Sequence, residues 1–162
     1  TARPLSDWWE ALRRRNDAHR VKFKASLHSN PSVPSEFLDS VVENLLENAR
    51  FKRQSESDLT ISVALDASEN GLQVLVSDTG TEIPPEVVES LFHRPVLSRS
   101  GLGIGLYQSA TQALELGFEL DLLSNREGCV SFLLQSSGMA FESPQIMKND
   151  ASPRRMPLRD ND

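Results

Sequence analysis

Cysteine is nearly absent: Cys129 stands alone among 162 residues. An internal disulfide or a cysteine-built metal site is therefore excluded, and the usage fits a reducing cytoplasm. No apolar run approaches the roughly 20 residues that span a bilayer, and no signal peptide is visible. A chain opening on Thr1 reads as part of a longer protein, with room upstream for a membrane anchor. A basic excess is also missing. Lys and Arg number 17 against 23 Asp and Glu, a net charge of −6, which excludes a general nucleic-acid binder because phosphate affinity needs a basic surface. The densest basic run, Arg13 to Arg15, reads as a solvated helix face. No internal repeat is present, and neither a P-loop nor a post-strand GxGxxG motif occurs.

Hydrophobic content of 38% and charged content of 25% are ordinary for a globular domain able to bury a core. In "PLSDWWEALRRRN" Ser6 is placed to cap a helix, with Trp8, Trp9 and Leu12 as packing anchors. "VKFKASL" alternates as a half-buried strand, and "NPSVPSE" is turn chemistry leading into a long helix, with Pro34 suited to its start. "LTISVALD" and "LQVLVSD" form a hairpin cornered at Asn70-Gly71. A short helix over "PPEVVESLF", a helix over 102–116 closed by Gly117, and a hairpin of "FELDLLS" with "CVSFLLQ" follow. From 137 to 162 Ser, Pro, Asn and charges dominate, which predicts a disordered tail. The expectation is one domain over 1–136: an α+β two-layer sandwich, with about five mainly antiparallel strands covered on one face by three helices.

Three segments carry chemistry. In "FLDSVVENLLENARFKR" the 100° step of a helix gathers Phe37, Leu38, Val41, Val42, Leu45, Leu46 and Ala49 into one buried arc, and turns Glu43 and Glu47 to water. Asn44 and Asn48, four apart, stack on the edge of that arc. They are either satisfied boundary residues or neutral ligands aimed at a divalent ion and a phosphate. "VLVSDTGTEIPPE" ends a strand at Asp78 and turns at Gly80. Asp-x-Gly is common in ordinary turns; read functionally, a buried carboxylate there would accept a hydrogen bond from the exocyclic amine of adenine and reject the carbonyl of guanine, at a mismatch cost of about 1–3 kcal/mol. "SRSGLGIGLYQ" places Gly101, Gly103 and Gly105 at a helix mouth. Free amides there carry partial positive charge, and missing side chains let phosphate come close.

"NLLENA", "DTGTEIP", the Leu91-Phe92 pair and "GLGIGL" occur in the order and spacing of the nucleotide boxes of sensor histidine kinase catalytic domains. These belong to the ATPase superfamily that includes gyrase, the Hsp90 chaperones and the MutL repair proteins. The resemblance covers roughly residues 5–136. It implies a Bergerat-type ATP-binding fold with ATP and Mg²⁺ as cofactors. Asn48 would hold Mg²⁺ between the phosphates, assisted by Asn44. Asp78 would hold the adenine amine, Gly80 would admit the base and Ile83 would line its pocket. Phe92 would anchor a short lid running from Pro85 to Ser100. Gly101, Leu102, Gly103, Gly105 and Leu106 would line the phosphates, with Lys52 nearby, and Ser131 would sit near the base.

The sequence departs from the family pattern at three points. Glu82 replaces a second glycine. Phe51 stands where a basic residue is common, and Arg50 and Lys52 beside it are off that helical line. No phosphoacceptor histidine is visible, since His19, His28 and His93 are followed by Arg20, Ser29 and Arg94, so all three read as ordinary histidines. The resemblance thus implies a catalytic half that phosphorylates a histidine on a separate dimerisation domain and feeds a response regulator. Relatives that hydrolyse ATP place a glutamate base at the position of Asn44, which favours phosphoryl transfer over hydrolysis. Two other readings stay open: a serine kinase of the anti-sigma type, and a degenerate regulatory module.

Overall fold

The computed structural model describes residues 2–92 and 104–136. In chain order these form β1 (Ala2–Pro4), α1 (Leu5–Arg15), a 3-10 turn (Asp17–His19), β2 (Val21–Leu27), β3 (Ser32–Pro34), α2 (Ser35–Arg53), β4 (Ile61–Ser68), β5 (Gly71–Asp78), α3 (Pro85–Val88), α4 (Ile104–Glu115), β6 (Phe118–Arg126) and β7 (Cys129–Ser136). The predicted tail and the second half of the predicted lid, residues 93–100, lie outside the described residues.

Strict alternation builds the main sheet. Ile61, Val63, Leu65 and Ala67 of β4 are buried on one face, as are Leu72, Val74, Val76 and Asp78 of β5. The five strands run in the order β2-β4-β5-β7-β6. Every pairing is antiparallel except β2 with β4. The architecture is α+β with a mixed sheet, as the periodicities predict. The Gly71 corner (φ 146°) closes the β4–β5 hairpin.

All seven apolar residues of the predicted α2 arc are buried, and each large one contributes about 1.5–3 kcal/mol by leaving water. Phe37 meets Phe118 at 5.3 Å, which ties α2 to β6, and Trp9 meets Phe23 edge-on at 5.5 Å, which ties α1 to β2. Trp8 and Trp9 are core residues, as expected.

Three local expectations need correction. Ser6 is not the cap of α1, which begins at Leu5. The Ser6 amide instead donates to Asn30 Oδ1 at 2.9 Å, from a loop 24 residues away. "NPSVPSE" is not turn alone, because Ser32–Pro34 pairs antiparallel with Ala2–Pro4. Glu43 faces water only in part: it accepts from Arg15 Nε at 3.2 Å and lies 3.8 Å from Arg50 Nη2, with its side chain 32% exposed. Arg15 likewise bonds Asp39 at 2.8 Å, and Trp8 Nε1 donates to the same oxygen at 2.7 Å. Burial opposes the Arg15 charge, but the bonds and charges of Asp39 and Glu43 outweigh it and raise its pKa above the ordinary arginine value. The helices α1 and α2 are thus joined by charge as well as by apolar packing.

Candidate nucleotide site

Helical spacing fixes the frame of the site. Asn44, Asn48 and Lys52 are successive steps of four on α2, so they form one line spanning about 12 Å at 1.5 Å per residue. At one end of this line lies the first turn of α4. Asn44 Nδ2 donates to Ser109 Oγ at 3.4 Å. A Cβ on Gly105 would sit 2.7 Å from Asn44 Oδ1 and 2.9 Å from its Cγ. Gly105 therefore has a packing reason to be glycine: it lets α4 nest on the Asn44 carboxamide. Midway along the line, Asn48 Nδ2 is buried and has no hydrogen-bond partner among the described residues. An unpaired buried amide is costly, and it either donates to a ligand oxygen or, turned over, offers its own oxygen to a cation.

The other end of the line is the turn after β5. Asp78 is 8% exposed. Its Oδ1 accepts from the Gly80 amide at 2.8 Å and from Lys52 Nζ at 2.9 Å. Lys52 thus lies on the same line as the two asparagines and reaches the site. Phe51, by contrast, is exposed. Glu82 is exposed too and leaves the turn clear.

The backbone of this turn is held from several directions. Glu56 Oε1 accepts from the Thr81 amide at 2.8 Å, Thr79 Oγ1 accepts from the Thr60 amide at 2.8 Å, and the Gly128 amide donates to Gly80 O at 2.9 Å. Asn125 forms a double clasp on Ile83, with Oδ1 accepting from its amide at 2.7 Å and Nδ2 donating to its carbonyl at 2.9 Å. Hydrogen bonding to Thr81 first, against burial and with help from the Lys52 charge, lowers the pKa of the Glu56 carboxyl from its ordinary value.

The Asn125 clasp depends on a bulge. Along β6 the core-facing positions are Phe118, Leu120 and Leu122. The register shift between Leu122 and Ser124 then places Asn125 opposite core-facing Val130, so its side chain turns to the Ile83 side. Ile83 itself is 7% exposed, and half-buried Phe92 packs edge-on against Phe132 at 6.2 Å.

The structure therefore brings Asn44, Asn48, Lys52, Asp78, Gly80 and Gly105 onto one face. It does not bring Ser131 there. Ser131 is register partner to Ser77, and their hydroxyls lie 3.0 Å apart on the sheet face opposite Asp78; pleating turns adjacent residues to opposite faces. Leu106 is a core residue with no exposed surface, so its side chain offers nothing to a ligand. Gly101, Leu102, Gly103 and His93 lie outside the described residues.

Glu56, Thr79, Ser109 and Asn125 are not legible as site residues in the sequence. The one available signal is Asn125, the first residue of the "NREG" segment that the sequence offers as a hairpin connection. The described residues hold no cluster of three or more His, Cys, Asp or Glu able to bind a metal. A divalent ion that fits here is one carried by a ligand's phosphates, with a carboxamide completing its shell. Among the described residues no helix is long and apolar enough to cross a membrane.

Residues 34–138 match the family described as histidine kinase-, DNA gyrase B- and HSP90-like ATPase. Sensor protein LytS of Bacillus subtilis is 35% identical over 75 residues, which are 46% of this chain and 12% of that protein. The chain thus spans a small part of the length of its curated relative. The nucleotide-free catalytic domain of histidine kinase ThkA superposes with a TM-score of 0.64 at 19% identity, over 85% of this chain and 95% of that one. ThkA in complex with the response regulator protein TrrA superposes with a TM-score of 0.61 at 17% identity, over 84% of this chain and 41% of that one. At these identities the structural likeness speaks for the fold, and the family match rests on the sequence itself. With the nucleotide boxes of the sequence, the sheet order and the family match in agreement, the chain belongs to the histidine kinase-, DNA gyrase B- and HSP90-like ATPase family.

Proposed function

We propose that this domain binds ATP with Mg²⁺ along the Asn44–Asn48–Lys52 line and donates the γ-phosphoryl group to a histidine on a separate helical domain. The observation that carries the reading is the buried, unpaired Asn48 amide midway between the Asp78–Gly80 turn and the first turn of α4. Asp78 accepts the exocyclic amine of adenine, Gly80 admits the base, and Ile83 and Phe92 supply apolar contact. Asn48 binds the phosphate–Mg²⁺ group. The ion, when bound, neutralises phosphate charge. Transfer of this kind depends mainly on positioning and charge neutralisation.

The surroundings of Asn44 support transfer to a protein side chain over transfer to water. Asn44 is a neutral amide engaged by Ser109, Glu43 is held by α1 and Arg50, and Glu47 is exposed. None is placed as a general base. The acceptor in this reading is the dimerisation domain of the full-length protein, and the next recipient is a response regulator, in line with the assembly named for ThkA.

The test is a phosphotransfer assay with γ-labelled ATP on the full-length protein, followed by the stability of the labelled product. An acid-labile, alkali-stable phosphoryl group is expected. An acid-stable, alkali-labile product identifies a serine acceptor and overturns the histidine assignment. Folded protein that neither binds nor transfers phosphate identifies a regulatory module.

A further inference from the structure

Lys52 meets the purine end of the site in two separate ways. Its ammonium lies 2.9 Å from Asp78 Oδ1, with the two side chains only 20% and 10% exposed. Its stem also helps to cover Gly80: a Cβ there would meet Lys52 Cε at 2.9 Å, beside Glu56 Oε1 at 2.8 Å and Leu59 Cδ2 at 2.9 Å. The carboxylate that would accept an exocyclic amine already accepts from an amine. The glycine that would lie beneath a base already has the lysine Cε against it, together with Glu56 and Leu59. Resting on the nucleotide reading above, we infer that Lys52 is a tethered occupant of the purine position, displaced by the incoming nucleotide, and that this displacement makes the site select adenine nucleotides with a polyphosphate over bare adenosine.

The selectivity follows from where the lysine goes. An ammonium fixed to the end of a helix competes at high effective concentration, and its charge-assisted bond to a carboxylate is stronger than that of a neutral amine. Adenosine must break this ion pair and offers the freed ammonium nothing in return. A triphosphate gives it a destination. Asn48 is four residues of α2 from Lys52, about 6 Å along the axis, and a flexible four-carbon stem spans that distance. Lysine leaves the base and meets the phosphates, so the unfavourable first event is offset only when phosphates are present.

The test is calorimetric titration of adenosine, and separately of Mg-ATP, into the 162-residue chain as wild type, Lys52→Met and Lys52→Ala, with folding of each checked by circular dichroism. Adenosine affinity is expected to rise about fivefold in Lys52→Met, the scale of a lost partly exposed ion pair, and by a similar factor in Lys52→Ala, since Glu56 and Leu59 still cover Gly80. Mg-ATP affinity falls in both, so the preference for ATP over adenosine shrinks by about tenfold or more. Adenosine affinity that is unchanged or reduced in both variants overturns the inference and makes Lys52 a fixed support of Asp78. Unchanged ATP affinity overturns the selectivity. If neither ligand binds any of the three folded proteins, the nucleotide reading itself fails.

Discussion

Helix α2 carries polar residues along both edges of its buried arc, and the two edges have opposite fates. On one edge Asp39, Glu43 and Arg50 are bonded to Trp8, Arg15 and Asn16, so that each of the three finds a partner. On the other edge Asn44 leans on α4, Lys52 on Asp78, and the Asn48 amide has no partner among the described residues. Charged side chains form the closed edge, whereas neutral carboxamides dominate the open one. Polar groups on a helix are thus no guide to function by themselves; what separates a seam from a site is whether the fold supplies their partners.

Substitutions along the two edges sharpen the contrast. The largest expected effect is on the open edge. Asp78→Asn keeps the shape but loses the charged acceptor, so ATP affinity falls roughly 10- to 100-fold, following the 1.5–3 kcal/mol of a hydrogen bond to a charged group. Calorimetry checks it. Next, Gly105→Ala drives a methyl into the Asn44 carboxamide. Thermal unfolding is expected to show a loss of about 1–3 kcal/mol, as overpacking typically gives. Asn125→Ala removes both bonds to Ile83 and costs about 1–2 kcal/mol in the same measurement, with weaker nucleotide binding because the turn is no longer pinned. The closed edge responds least. Glu43→Gln lowers stability by about 0.5–1 kcal/mol in denaturant titration and leaves ATP affinity unchanged.

Much of this contrast was legible before the coordinates. The 100° step through Phe37–Ala49 fixes the buried arc, and alternation fixes β4 and β5 with Asp78 at a strand end. Asn44 and Asn48 necessarily fall together. What escaped the sequence depends on register or distance along the chain. Asn125 reaches Ile83 only because a bulge reverses the facing of β6, and no local pattern announces a bulge. Ser131 lands on the wrong face because its partner is Ser77, a pairing set by the whole sheet. Glu56 and Asn30 act on residues 25 and 24 positions away. Arg15 is exposed as expected, but its pairing went unread because the α2 carboxylates that face it are 24 and 28 residues off.

A pH series gives the smallest effect and reports on the open edge alone. The folded pKa of Glu56 lies below its unfolded value. Its stabilisation is therefore present above the unfolded value and is lost as pH falls through the folded one. Wild type should exceed Glu56→Gln in stability near neutrality, with the gap closing on acidification through the carboxylate range. A gap that holds constant with pH would assign the difference to packing.

The most direct test of the open edge as the nucleotide site is Mg-ATP calorimetry on Asn48→Ala beside Glu43→Gln. The account predicts that Asn48→Ala loses most of the binding heat while Glu43→Gln titrates like wild type. Equal binding by both variants, or folded wild type that releases no heat, would contradict it.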